Sequence, residues 1–316
     1  MATKRVMSLL PSATEILCGI PGGKQLLVAR SSEDDYPGDI VHLPAVIDQI
    51  TKFTTSADVD QQVKEKMKEL GTLYVVDRDR IEVLKPDVIL TQDLCRVCSI
   101  DLMTVERIAQ TMAPQPQVLN LSPVCLEDML DNIIEVGQAA GLETQAQSYR
   151  KLLEDRIERV RTTVAAQETT TKPRVVFMDW VDPIIVGGHW MPQMIEIAGG
   201  VALLNPAFTG DNGHRHGDRA IKVSPDELLD AKPDVLIIAA CGLEMHTLRK
   251  EIEMISDRDH WKAIRAAVPR IVICDGHYYF NRPGPRLVDS LEFMAGYINS
   301  MPELIPEGFE YEELHK

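Results

Sequence analysis

Apolar residues in this chain fall into short dense runs separated by longer amphipathic stretches. Val6-Met7-Ser8-Leu9-Leu10 is such a run, placed directly behind Arg5. A second begins at Val88, after the turn Lys85-Pro86-Asp87, which itself ends a short helical stretch from Ile81. A third, Gln117-Val118-Leu119-Asn120-Leu121, comes after a proline. All three read as strands, and the β-branched run after the Lys-Pro-Asp turn as one covered on both faces. The same order recurs in the second half of the chain. Arg174-Val175-Val176-Phe177-Met178 answers the first run, Ala231-Lys232-Pro233-Asp234-Val235-Leu236-Ile237 the second, and Arg270-Ile271-Val272-Ile273-Cys274 the third.

Strands alternating with helices predict parallel sheets. The repetition predicts two similar α/β lobes. Between the halves, Ala146, Tyr149, Leu153, Ile157, Val160 and Val164 recur at steps of three and four, the stripe of one long helix over 143–167. About 25 residues at 1.5 Å each make a rod of roughly 37 Å. The expected organisation is an N-terminal lobe over 1–142, a linking backbone helix over 143–168, a C-terminal lobe over 169–300, and a loosely packed acidic tail over 301–316.

Composition narrows the function classes. The chain has 316 residues, 45% hydrophobic and 26% charged, as expected of a globular protein with two domains of ordinary size. A net charge of −15 disfavours nucleic acid and anionic lipid as partners. It suits a basic docking face, or simply solubility. No stretch reaches the roughly 20 apolar residues of a membrane helix. Met1-Ala2-Thr3-Lys4-Arg5 runs straight into the first strand without an apolar leader. That pattern predicts a cytoplasmic protein, or a periplasmic or extracellular one whose leader has been removed. The six cysteines are irregularly spaced and do not form a disulfide framework.

Several local motifs carry a resemblance. Ser8-Leu9-Leu10-Pro11-Ser12-Ala13-Thr14-Glu15, Tyr36-Pro37, Gly187-Gly188-His189-Trp190-Met191-Pro192, Ala198-Gly199-Gly200 and Tyr279-Phe280-Asn281-Arg282-Pro283-Gly284 occur in an order and spacing that resemble the substrate-binding proteins of ABC importers for cobalamin and ferric siderophores. The likeness spans about residues 5 to 298. It implies two Rossmann-like parallel-sheet lobes joined by one long backbone helix, and a non-enzymatic protein that holds a metal chelate (a corrinoid, siderophore or haem) between them. It also implies an ABC permease as partner, met by one surface carboxylate per lobe. Glu106 matches the first position, and Glu251 or Glu244 approximates the second.

Candidate binding residues come from strand ends and motifs, because ligands of open α/β sheets sit beyond the carboxyl ends of the strands. They are Ser12, Tyr36, Gln92 and Asp93 in the first lobe. In the second they are Trp180, His189, Trp190, Tyr278, Tyr279, Phe280 and Arg282. The flat aromatic side chains suit a planar ligand such as a corrin, or else ordinary packing. Arg282 suits a carboxylate, amide or phosphate. Ser12 and Thr14 have the look of helix capping before Glu15. His214-Arg215-His216 lies in a polar stretch that reads as a solvated loop or as a source of an axial imidazole. Cys95-Arg96-Val97-Cys98, with Cys241 at the equivalent strand end, reads as a metal site, a redox pair or packed thiols. On that last motif rests the alternative of a cytosolic metal-binding protein or enzyme on the same scaffold. No Gly-x-Ser-x-Gly, Walker A or Gly-x-Gly-x-x-Gly sequence is present.

Overall fold

The computed structural model describes residues 3–94, 100–167 and 171–314. The chain divides into two compact units, and the division falls within one helix, between Glu154 and Asp155, rather than at that helix's ends. The first unit comprises Met1–Thr54, Asp58–Pro123 and Glu127–Glu154. Its elements run β1 (Val6–Ser8), α1 (Pro11–Gly19), β2 (Leu27–Ser31), β3 (Ala45–Gln49), α2 (Ser56–Leu70), β4 (Tyr74–Val76), α3 (Arg78–Leu84), β5 (Val88–Thr91), α4 (Leu102–Gln110), β6 (Gln117–Asn120), α5 (Leu126–Ala140) and the start of α6 (Glu143–Ala165). Among the described residues the strands form one six-stranded sheet in the order β4-β3-β2-β1-β5-β6. All neighbours are parallel except β3 and β4. Strands β1 and β5 are buried at every position, as their unbroken apolar runs require.

The second unit comprises Thr55–Ala57, Val124–Leu126 and Asp155–Lys316. It continues with β7 (Arg174–Val181), β8 (Ile184–Val186), α7 (Trp190–Ile197), β9 (Val201–Ala202), β10 (Phe208–Thr209), β11 (Arg215–His216), β12 (Ile221–Lys222), α8 (Pro225–Asp230), β13 (Val235–Ile238), α9 (Met245–Ile255), α10 (Asp259–Ala267), β14 (Arg270–Cys274), α11 (Leu287–Ile298) and β15 (Tyr311–Glu313). Its main sheet has the order β12-β8-β7-β13-β14-β15, with β9 beside β7. Strands β7, β13 and β14 are mutually parallel, while β8, β12 and β15 add antiparallel edges.

The repeated Lys-Pro-Asp motif does the same job in both units. Lys85 and Lys232 both take positive φ, 44° and 48°, which turns the chain out of the preceding helix. The next aspartate then clamps the arginine that opens the unit. Arg5 N–H donates to Asp87 Oδ2 at 2.8 Å, and Arg174 N–H donates to Asp234 Oδ2 at 2.8 Å. Each arginine side chain reaches back to the helix end, Arg5 to the Leu84 carbonyl and Arg174 to that of Ala231. On the other side each aspartate carbonyl accepts from the start of the third strand, Gln117 or Arg270. One motif thus registers three strands, twice.

The structure corrects two expectations. The tail is not a loose appendage. Strand β15 pairs with β14, Phe309 is buried, and Ile305 packs so closely on Gly296 that a Cβ there would lie 2.6 Å from it. The polar stretch around His214 is not a simple loop either, because Phe208–Thr209 and Arg215–His216 form a small antiparallel hairpin.

Candidate functional site

In the first sheet the strand order reverses between β1 and β5, and the expected site residues of this unit lie near the carboxyl ends of β1, β2 and β5. Beyond β1, Pro11 occupies the first turn of α1 and Leu10 is the N-cap without a side-chain bond. Ser12 and Thr14 therefore do not cap the helix. Thr14 Oγ1 instead donates to Asp34 Oδ2 at 2.5 Å, and Asp34 also accepts from Ser31 N–H at 3.1 Å. This buried pair ties the end of β2 to α1. Ser12 and Gln92 are buried, whereas Tyr36 is exposed. Asp93 is exposed too, and its N–H donates to Ser122 Oγ beyond β6.

In the second sheet β7, β13 and β14 end side by side. The turn after β14 approaches that after β13 backbone to backbone: a Cβ on Gly276 would sit 2.0 Å from the Ala240 carbonyl oxygen, so only glycine fits. Asp275, buried at 4% exposure, organises the loop beyond β14. Its Oδ1 accepts from His277 and Tyr278 N–H, and its Oδ2 accepts from Met245 N–H at the start of α9. Asn281 Nδ2 donates to the carbonyls of Ala239 and Gly276.

The loop so held presents His277, Tyr278 and Tyr279 half-buried. Arg282 Nη2 donates to His277 Nε2 at 2.9 Å. The Arg282 and Arg286 guanidiniums lie 5.7 and 5.1 Å from the Tyr278 ring centre, a cation–π arrangement. Tyr279 stacks on Phe309 at 4.1 Å. A cavity of about 240 Å3 opens beside the loop, lined by Tyr278, Tyr279, Asp275, Glu244, Arg249 and, from the tail, Glu310.

Not every expected residue is available to a ligand. Phe280 is fully buried and packs on Phe177, Phe293 and Phe309, which makes it core rather than wall. Trp190 is buried behind it and donates from Nε1 to the Phe280 carbonyl at 2.8 Å. Trp180 is half-buried against the sheet core, with Nε1 donating to the carbonyls of Ser56 and Asp182. Glu251 is also corrected. At 3% exposure it accepts from Ser56 N–H at 2.8 Å, so it pins the Thr55–Ala57 segment and offers no surface carboxylate. Glu106 and Glu244 are exposed. His189 is half-buried at a strained φ of 52° before α7, and burial, with lesser contributions from Arg219 and His216, holds its imidazole below the ordinary value.

The metal expectation at the cysteines gains no support. Cys95 and Cys98 lie outside the described residues, and Cys241 is exposed beyond β13. Among the described residues no three His, Cys, Asp or Glu side chains are grouped to hold a metal ion. Burial pushes the Cys18 thiol up to about 12 and raises that of Cys274 well above its ordinary value, so neither offers a thiolate at neutral pH. Among the described residues no helix is long and apolar enough to cross a membrane.

The fold has close counterparts among solved structures. The vitamin B12 binding protein BtuF of Vibrio cholerae is 20% identical, with a TM-score of 0.64 over 95% of this chain and 98% of that one. The haem-binding protein RhuT of Roseiflexus sp. RS-1 is 21% identical, with a TM-score of 0.62 over 96% and 99%. A haem-binding protein of Pseudomonas aeruginosa is 18% identical, with a TM-score of 0.66 over 93% and 92%. All three are described as periplasmic, which lends no support to the cytoplasmic expectation. No curated protein sequence matches. The family model described as periplasmic binding protein matches residues 33–276, well over half the chain. By that match the chain belongs to the periplasmic binding protein family.

Proposed function

We propose that this protein captures a metal chelate and that the chelate is a corrinoid, cobalamin or a precursor of it. The observation that carries the reading is the loop beyond β14. Two half-buried tyrosines stand at the ligand-facing edge of the sheet, one backed by two guanidiniums and the other by Phe309. Flat side chains held in this way cover a planar macrocycle at small entropic cost. Structural counterparts described as binding vitamin B12 or haem support the same ligand class. Binding rather than catalysis is the role, and the periplasm its place, in keeping with the family's description. An ABC permease is the partner this reading implies, with exposed Glu106 on α4 as one docking carboxylate.

The test is calorimetric titration with cyanocobalamin and, separately, haemin. A dissociation constant near 1 μM corresponds to about −8 kcal/mol, and the corrinoid binds at least that tightly. Removing the Tyr278 ring (Tyr278→Ala) weakens binding about five- to a hundredfold, the worth of roughly 1–3 kcal/mol of apolar burial. Absence of heat, together with no displacement by any corrinoid or haemin, overturns the reading.

A further inference from the structure

The cavity beside Tyr278 and Tyr279 is too small to hold a macrocycle. Its volume of about 240 Å3 lies below the range, from about 300 Å3 upward, that encloses a whole drug-sized ligand. It fits a substituent projecting from a ligand laid against the tyrosines. Its lining is charged and lopsided: Glu244, Asp275 and Glu310 place three carboxylates there against the single guanidinium of Arg249, with His246 beside them. Arg249 is already engaged, lying 3.3 Å from Glu310 and 2.6 Å from Glu312. His246 Nδ1 lies 3.1 Å from Glu244.

One wall of this cavity comes from the C-terminal segment. Gly308 and Glu310 line it, while Phe309 between them is anchored by stacking on Tyr279 at 4.1 Å and on Phe293 at 4.4 Å. Strand β15 continues the anchor along β14, where Tyr311 pairs with Cys274.

We propose that the C-terminal strap builds a specificity subsite that accepts an uncharged, amide-bearing edge of a metal chelate and rejects a carboxylate-bearing one. The inference rests on the chelate-binding reading. An amide offers N–H donors to Glu244 and Glu310, and its carbonyl brings no charge that needs a cation. A carboxylate brings a negative charge into a site with an excess of two carboxylates and finds its one guanidinium taken. Like charges set side by side at an interface act against the wrong ligand more than they favour the right one. Corrinoids carry amides along the rim of the ring, and haem carries propionates. The subsite therefore separates two ligands that the tyrosine face alone does not.

The test compares dissociation constants for cyanocobalamin and haemin in the parent and in two variants that change charge in opposite directions. The double variant Glu244→Gln, Glu310→Gln removes two negative charges and weakens the Glu310 contact of Arg249, leaving its pair with Glu312, and is expected to raise haemin affinity relative to cyanocobalamin about tenfold. Arg249→Gln removes the positive charge and is expected to shift the ratio the other way. These three side chains are exposed, and thermal melts of the variants confirm that the fold is retained. A parent that prefers haemin, or a ratio that stays constant across both variants, overturns the subsite while leaving chelate binding intact. A parent that binds neither ligand overturns the functional reading and the subsite with it.

Discussion

Asp87 and Asp234 show how one side chain fixes a strand. Each accepts the backbone N–H of the arginine opening its unit, so replacing either with Ala leaves that N–H to water at the strand's start. The expected loss is about 1 kcal/mol at each site, and Asn, which keeps an acceptor oxygen, restores part of it. Urea midpoints at unchanged slope check this. His189 makes a pH-dependent contribution of definite sign. Its imidazole is held below the usual value chiefly by burial. As pH falls through about 6.5, the unfolded chain takes up this proton first. His189 thus has no effect on stability above about pH 7 and subtracts from it between about 6.5 and its lower folded value. Between about pH 7.5 and 5.5 the urea midpoint of the parent should fall further than that of His189→Asn; equal falls refute the assignment. The aspartates of the Lys-Pro-Asp turns were legible because they sit in a repeat. Asp34, Asp275 and Glu251 were not. Their partners are backbone N–H groups or a hydroxyl brought near by folding, 195 positions away for Glu251 and Ser56, and a carboxylate carries no local sign of such a partner.

Elements were legible where burial wrote a period into the sequence. The buried strands and α6 emerge from apolar runs and from the three-four stripe. The tail did not, because β15 is an edge strand exposed along its length, Tyr-Glu-Glu, held to the unit by backbone pairing, by the Arg249 ion pairs and by the packing of Ile305 and Phe309 upstream. Exposed charged edges are what a sheet uses to avoid further pairing, and they read as disorder. The hairpin of β10 and β11, two residues per strand, is likewise too short to show a period. Of the five second-lobe aromatics, sequence placed all near strand ends, but it could not say which face each takes. Phe280, with positive φ, turns inward, while its neighbours Tyr278 and Tyr279 stay at the surface. If the strap is integral, Phe309→Ala costs about 3 kcal/mol, the usual loss for a buried Phe. Removal of residues 301–316 should cost at least as much. A truncated chain melting at the parent's temperature would return the tail to the status of an appendage.

At the scale of the whole chain, repetition made the fold class readable from the sequence, since the order of strand, Lys-Pro-Asp turn and third strand recurs and each half closes its own sheet. Ligand identity was not readable in the same way. On the reading proposed above it depends on which half-buried side chains the loop beyond β14 presents, and these are held by Asp275, Asn281 and Phe309 through contacts that carry no period. The compartment was not readable either, because neither fold nor site chemistry encodes it. Function at this scale is a linkage between binding and stability. A ligand that binds the native state alone stabilises it by RT ln(1 + [L]/Kd), about 2.7 kcal/mol at a hundred times Kd. Cyanocobalamin at that excess should therefore raise the melting temperature, and haemin at equal concentration should raise it less if the acidic cavity excludes carboxylates. Tyr278→Ala, binding about tenfold more weakly, should lose about 1.4 kcal/mol of that stabilisation while melting like the parent without ligand. Because the ring is half-buried and the loop is held by other residues, its removal acts on ligand affinity more than on the fold. Equal ligand-induced shifts in parent and variant would place the macrocycle elsewhere than on Tyr278, and a parent whose melting temperature ignores cyanocobalamin at that excess would remove the corrinoid from consideration.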